Sequence, residues 1–178
     1  MASDSRPDDQ RPAPARERTE THGTDAHPAD PLARARNRAW TDYVPDFAEA
    51  ISSTAYSNSE EEFAKQAAGI AKPVGRLEEA LSRRGNDDPY FNGPKFSLVD
   101  AAYAPFLQRY TFLDRLKPVG IIEKFPRLAA WRDALLAHPA VKASTVANFE
   151  AVWQENLILR KRWLGKFVSK SVLGAAAA

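Results

Sequence analysis

Apolar side chains recur every three or four residues along most of this chain, which is the spacing of one face of an α-helix. The first such pattern follows Asp30 and Pro31, an N-cap acid and a proline at the first helical position. It continues to Tyr56, and we expect Pro45 to kink this helix without ending it. No stretch alternates with a period of two for long enough to indicate a strand, so the pattern predicts an all-α protein.

A second helix is predicted after Ser59, because a serine followed three positions later by Glu62 is a capping box. Helical spacing then continues, although Pro73 should weaken or bend the middle of this helix. The helix should end by Gly85. Residues 86–95 are rich in Asp, Asn, Gly and Pro, and this composition indicates a loop.

A third helix opens at Ser97 and Asp100, whose side chains can each cap the backbone amide of the other. It should end at Lys117, which precedes a proline. The apolar pattern predicts three further helical segments, over residues 126–137, 139–145 and 148–170. In the last segment, a basic stripe with a spacing of four lies opposite the apolar side chains and consists of Arg162, Lys166 and Lys170.

The two ends of the chain differ in composition from its centre. Residues 1–29 contain several prolines and, after Met1, no large apolar side chain, so they cannot bury enough surface to offset the chain entropy lost on folding. We therefore expect a disordered arm over 1–29, one helical domain over 30–172, and a disordered tail over 173–178. A length of 178 residues agrees with a single core.

Composition excludes several kinds of chemistry. The chain has no cysteine, which excludes disulfides, thiolate metal sites and cysteine nucleophiles and suits a reducing cytoplasm. Its net charge of +2 indicates neither a nucleic acid nor a membrane as partner, and no apolar run is long enough to span a bilayer. Of the three histidines, His22 and His27 lie in the arm and His138 at a helix end, so we predict no metal site and no catalytic residue.

Five aromatic residues fall on the first and third predicted helices, at Tyr43, Phe47, Tyr103, Phe106 and Tyr110. They could line an apolar pocket with a few hydroxyl groups that orient a ligand. Aromatic residues at helical spacing are, however, more often part of the core, so the pattern by itself favours packing.

Three stretches resemble the C-terminal helical domain of glutathione transferases. They are residues 29–36 with Trp40, residues 91–106 with the sequence FNGPKFSLVDAAYAPF, and residues 125–131 with 138–141. The resemblance implies a bundle of about five to six helices, in which Ser97 and Asp100 serve folding. It also implies that the five aromatic residues are candidates for the pocket of a small hydrophobic electrophile. Glutathione would be the co-substrate, held by an N-terminal thioredoxin-like domain that has no counterpart in residues 1–30.

The resemblance leaves three functional hypotheses. The first is a glutathione transferase relative that shapes the electrophile site and is inactive alone, from a truncated or frameshifted gene whose start lies just upstream of the domain linker. The second is a non-catalytic binding or scaffold module, which would associate with itself or a protein partner through the face left uncovered by the missing domain. The third, and the least favoured, is a membrane or nucleic-acid binder that uses Arg162, Lys166 and Lys170.

Overall fold

A computed structural model describes residue 28 and residues 30–169, and these residues form eight α-helices and two short 3₁₀ helices without any strand. The prediction of an all-α protein is therefore confirmed. The first two pairs of helices are each one helix with a break, so the described residues contain six helical units. The α-helices are α1 Pro31–Asp42, α2 Val44–Ala55, α3 Glu60–Gly69, α4 Ala71–Ser82, α5 Leu98–Leu116, α6 Pro126–Ala137, α7 Pro139–Ala143 and α8 Phe149–Leu159. The 3₁₀ helices are Ile122–Lys124 and Trp163–Phe167.

The start of α1 and the break after it agree with the sequence signals. The carboxylate of Asp30 accepts a hydrogen bond from the backbone N–H of Ala33 at 2.7 Å, which caps the helix. The helix is interrupted at Tyr43, two residues before Pro45. Proline has no N–H to donate to the preceding turn, and its ring crowds that turn, so the kink expected at this position is confirmed.

The second helix also starts as predicted and is broken near its proline. The Ser59 hydroxyl accepts from the N–H of Glu62 at 3.1 Å, while the Glu62 carboxylate accepts from the N–H of Asn58 rather than from Ser59. The break falls at Ile70, because Pro73 cannot donate the next hydrogen bond of the helical ladder.

The prediction of one helix over residues 148–170 is wrong. Helix α8 ends at Leu159, and Lys161 adopts a left-handed backbone with φ of 53°. The N–H of Arg162 then donates to the carbonyl of Leu157 at 2.8 Å, a pattern that closes helix ends. Arg162 and Lys166 therefore do not share a helical face, and Lys170 lies outside the described residues.

The segment after α8 folds back onto the earlier helices. The N–H of Trp163 donates to the carbonyl of Ser57, just after α2, at 2.9 Å. Gly165 lies so close to α8 that a Cβ atom at this position would be 3.0 Å from the carbonyl oxygen of Leu157. Long-range contacts therefore terminate the helix, although the apolar periodicity continues beyond it.

The core of the described residues consists of two apolar clusters that share α5. The first cluster packs α5 against α2, α4 and α6. The second packs the C-terminal half of α5 against α8 and the 3₁₀ helix Trp163–Phe167. Its buried members are Ala55, Phe63, Ala67, Phe112, Leu113, Trp153, Leu157, Trp163 and Leu164. Helix α5 therefore connects the two halves of the bundle.

Two expectations concern residues at the ends of the chain. Except for Pro28, the arm predicted over 1–29 lies outside the described residues, as does the tail predicted over 173–178.

Within the part of the chain that the structure describes, no helix has the length and apolar character needed to cross a bilayer.

Candidate functional site

The start of α5 is organised around the carboxylate of Asp100, which has no exposed surface. Its Oδ2 accepts hydrogen bonds from the N–H of Ser97 at 2.8 Å and from the Ser97 hydroxyl at 2.6 Å. Its Oδ1 accepts from the N–H of Phe91 at 2.8 Å and from the indole N–H of Trp131 at 2.7 Å. The capping box is therefore present, and the same carboxylate also joins the preceding loop and α6 to α5.

Phe47 and Tyr103 lie inside the first apolar cluster without exposed surface. Their rings meet edge to face with centroids 5.2 Å apart, and the Tyr103 hydroxyl donates to the carbonyl of Trp40 at 2.8 Å. Burial raises the pKa of the Tyr103 phenol, and the nearby Tyr43 and Asp46 raise it further. Both side chains therefore hold α5 against α1 and α2.

Tyr110 is also fully buried, and its hydroxyl fixes the segment between α5 and α6. It accepts hydrogen bonds from the N–H groups of Ile121 and Ile122 at 3.0 and 3.1 Å and donates to Glu123 Oε2 at 3.3 Å. Burial raises the pKa of Tyr110 to about 12, because it outweighs the two backbone donors, which lower the pKa, and the carboxylates of Glu123 and Asp114 raise it slightly further.

Tyr43 and Phe106 are only half-buried. Tyr43 lines a groove of about 390 Å³ between α2 and the α3–α4 pair, most of whose lining residues are polar or charged, and the guanidinium of Arg76 lies 5.2 Å from the centre of its ring. Phe106 lies on α5, and the guanidinium of Arg109 is 6.0 Å from its ring centre. The five predicted aromatic residues thus do not gather around one cavity, and their contacts with a substrate stay a prediction.

An apolar cavity of about 380 Å³ lies between α5 and α7. Phe96, Ala104 and Val141 supply apolar walls, while Gln108 and Arg109 supply polar groups. The Arg109 guanidinium also donates to the carbonyl of Pro105 at 2.8 Å and lies 5.1 Å from the centre of the Phe149 ring. A cavity with mostly apolar walls and a few polar groups suits a small, mainly apolar ligand.

The sequence did not predict this cavity. The only signal for it is the row Ala101, Pro105 and Gln108 on α5, small or polar side chains three and four residues apart that face away from the core. Such a row also fits an ordinary exposed helix face, so the sequence does not predict that α7 covers it. The described residues contain no group of three or more His, Asp and Glu side chains that could hold a metal ion.

The described residues thus form an all-α domain with a buried cap at the start of its central helix and an apolar cavity beside that helix. Residues 32–134 match the family model described as the C-terminal domain of glutathione S-transferase. The chain belongs to the glutathione S-transferase family, as its sequence motifs imply.

Individual relatives agree with the family. The chain is 31% identical over 120 residues to a probable glutathione S-transferase of Zea mays, an alignment that covers 65% of this chain and 51% of the relative. It is 28% identical over 144 residues to a glutathione S-transferase of Arabidopsis thaliana, which covers 81% of this chain and 64% of the relative. The chain thus spans roughly half to two thirds of the length of these relatives.

The same fold occurs in a crystal structure of a Tau class glutathione S-transferase from mango, Mangifera indica. The TM-score is 0.57 at 24% sequence identity, and the superposition covers 74% of this chain and 61% of the mango chain. This likeness establishes the fold of the helical domain.

Proposed function

We propose that this chain shapes the acceptor side of a glutathione conjugation, in which the glutathione thiolate attacks a small hydrophobic electrophile. The observation that carries the proposal is the apolar cavity between α5 and α7, in a chain that belongs to the glutathione S-transferase family. Its volume of about 380 Å³ is close to the lower end of the roughly 300–1,000 Å³ of small-molecule sites. Such a volume suits one small electrophile.

The walls of the cavity determine which part of the electrophile each residue contacts. Phe96 and Val141 would pack against its apolar body, and the amide of Gln108 would orient a polar substituent. Among the five aromatic candidates, we retain Phe106 for this site, because it is half-buried and its ring centre lies 6.0 Å from the guanidinium of Arg109, which lines the cavity. The buried tyrosines and Phe47 would serve packing instead.

Glutathione is the co-substrate in this proposal and would be held by a thioredoxin-like domain. A thiol becomes nucleophilic at neutral pH when a hydrogen-bond donor or a positive charge next to the sulfur lowers its pKa. The cation of the cavity, Arg109, is engaged by the Pro105 carbonyl and the Phe149 ring. We therefore propose that the chain alone does not conjugate glutathione. Separately, we propose a cytoplasmic location, which the cysteine-free sequence suits.

Filling the cavity tests where the electrophile binds. Ala101 is exposed at the cavity, so Ala101→Phe adds a ring there without disturbing the core. In titrations with 1-chloro-2,4-dinitrobenzene followed by ¹H–¹⁵N NMR, we expect shifts of the amides of residues 101–104, 106–109 and 140–145. We expect Ala101→Phe to weaken binding about tenfold or more, since the added side chain occupies the ligand volume.

The matched control is Ala35→Phe, which makes the same change at an exposed position of α1. It should bind the electrophile as the unaltered chain does. Binding that Ala101→Phe leaves unchanged, or amide shifts confined to other helices, would refute the proposed acceptor site.

A further inference from the structure

A separate cavity, of about 420 Å³, is lined by residues of α1, the C-terminal end of α4 and the loop that follows α4. Three arginines contribute to its lining, Arg36, Arg83 and Arg84. The described residues that line it include no Asp or Glu, and its remaining polar side chains are the amides of Asn86 and Asn92. The lining therefore carries only positive formal charge.

The most deeply placed cation of this cavity is Arg84. Its Nε donates to the carbonyl of Leu81 at 3.2 Å and its Nη1 to the carbonyl of Tyr90, so the guanidinium is held in position with donors left for a ligand. Burial lowers the pKa of Arg84, and the positive charge of Arg127 lowers it further. Three carboxylates outside the cavity lining oppose this effect, Asp87, Asp88 and Asp100.

The other two arginines differ in how far they are neutralised. Arg83 forms an ion pair with Glu79 at 2.6 Å, but both side chains are largely exposed, so this pair is weak. The exposed guanidinium of Arg36 forms no ion pair with another residue among those that the structure describes. Arg36 and Arg84 are therefore the two cations of this cavity that form no ion pair with a described residue, and Arg83 keeps a weak partner.

Aromatic side chains form part of the wall next to these cations. The rings of Trp40 and Phe91 meet edge to face with centroids 5.7 Å apart, and Ala33 and Ala80 leave space beside them. A planar ring placed in this space would contact both aromatic side chains, and aromatic pairs of this kind are attractive beyond their buried area.

We propose that this cavity binds a planar aromatic carboxylate. The carboxylate would lie between the guanidinium groups of Arg36 and Arg84, a charge-assisted contact that arginine favours, and the ring would pack on Trp40 and Phe91. The site shares no lining residue with the electrophile cavity between α5 and α7, so it stands or falls independently of the proposed conjugation.

The test uses 2-naphthoate as the ligand and 2-naphthamide as its uncharged isostere. Binding to the full chain is followed through the indole N–H of Trp40 in ¹H–¹⁵N NMR spectra, with a Trp40→Phe variant to assign the signal. We expect naphthoate to shift this signal and to bind about tenfold more tightly than the amide. Raising the salt concentration should weaken the binding of naphthoate alone.

Variants separate the carboxylate contact from general apolar binding. Arg36→Gln should weaken naphthoate binding about three- to tenfold without affecting folding, because Arg36 is exposed. Arg160→Gln, an exposed arginine at the end of α8, is the matched control and should change nothing. Equal affinity for naphthoate and naphthamide, an unchanged Trp40 signal, or naphthoate binding that Arg36→Gln leaves intact would overturn the proposal.

Discussion

At the scale of single residues, the side chain of Asp100 joins three segments of the described chain through hydrogen bonds. One buried carboxylate accepts hydrogen bonds from the loop at Phe91, from the cap at Ser97 and from α6 at Trp131. The sequence predicted only the contact with Ser97, which lies three residues away. The other two donors are nine and 31 residues distant, and local spacing carries no information about which distant segments meet.

Replacing Asp100 should therefore cost far more than the loss of a helix cap. Asp100→Ala leaves the N–H groups of Phe91, Ser97 and Trp131 buried without an acceptor. We expect the free energy of unfolding in urea to fall by about 3–5 kcal/mol, a large part of the roughly 5–15 kcal/mol of a typical domain.

The control for this variant is Asp133→Ala on α6, whose exposed carboxylate contacts only the neighbouring Arg132 at 2.9 Å. Its loss should not exceed about 1 kcal/mol, as for other surface pairs. Equal losses in the two variants would show that Asp100 is no more than an ordinary cap.

At the scale of elements, the helix starts and the breaks near proline follow local chemistry, and the end of α8 does not. The interruptions at Tyr43 and Ile70 follow from the nearby Pro45 and Pro73, whose effect on a helix is local and needs no distant contact. Helix α8 instead ends at Leu159, the left-handed backbone of Lys161 follows, and the N–H of Trp163 is then fixed to the carbonyl of Ser57. Lysine carries no sequence signal for this conformation, so only the packed structure reveals the end of the helix.

The close packing behind α8 can be tested by adding one methyl group. In Gly165→Ala the new Cβ would lie 3.0 Å from the Leu157 carbonyl, so the 3₁₀ segment must shift away from α8. We expect a loss of about 1–3 kcal/mol in urea unfolding. The control is Gly69→Ala at the end of α3, where the added Cβ would meet no other residue within 4 Å. It should be neutral or slightly stabilising. An equal response of the two glycines would contradict this packing.

At the scale of the whole molecule, apolar periodicity was sufficient to predict the all-α class and the number of helical units. It did not separate core from pocket, because aromatic side chains at helical spacing can belong to either one. Phe47, Tyr103 and Tyr110 are on the inner face of the first and third predicted helices and are core residues. The cavity next to Ala101 and Gln108 arises only once α7 packs against α5, and that contact is a property of the assembled bundle.

The alternative function, a non-catalytic binding module that associates with itself, stays a prediction. The large apolar side chains with the greatest exposure are Leu32, Val146 and Leu159, which lie on α1, before α8 and at the end of α8. Single exposed apolar residues are normal at protein surfaces. The conjugation hypothesis is favoured because a cavity and a family membership support it together.

The most direct measurement is the rate of glutathione conjugation to 1-chloro-2,4-dinitrobenzene by the purified chain, alone and fused behind a glutathione-binding thioredoxin-like domain of the family. We predict no rate above the uncatalysed reaction for the chain alone, turnover for the fusion, and a reduced rate when the fusion carries Ala101→Phe. Conjugation by the chain alone, or a fusion whose rate Ala101→Phe leaves unchanged, would contradict these predictions.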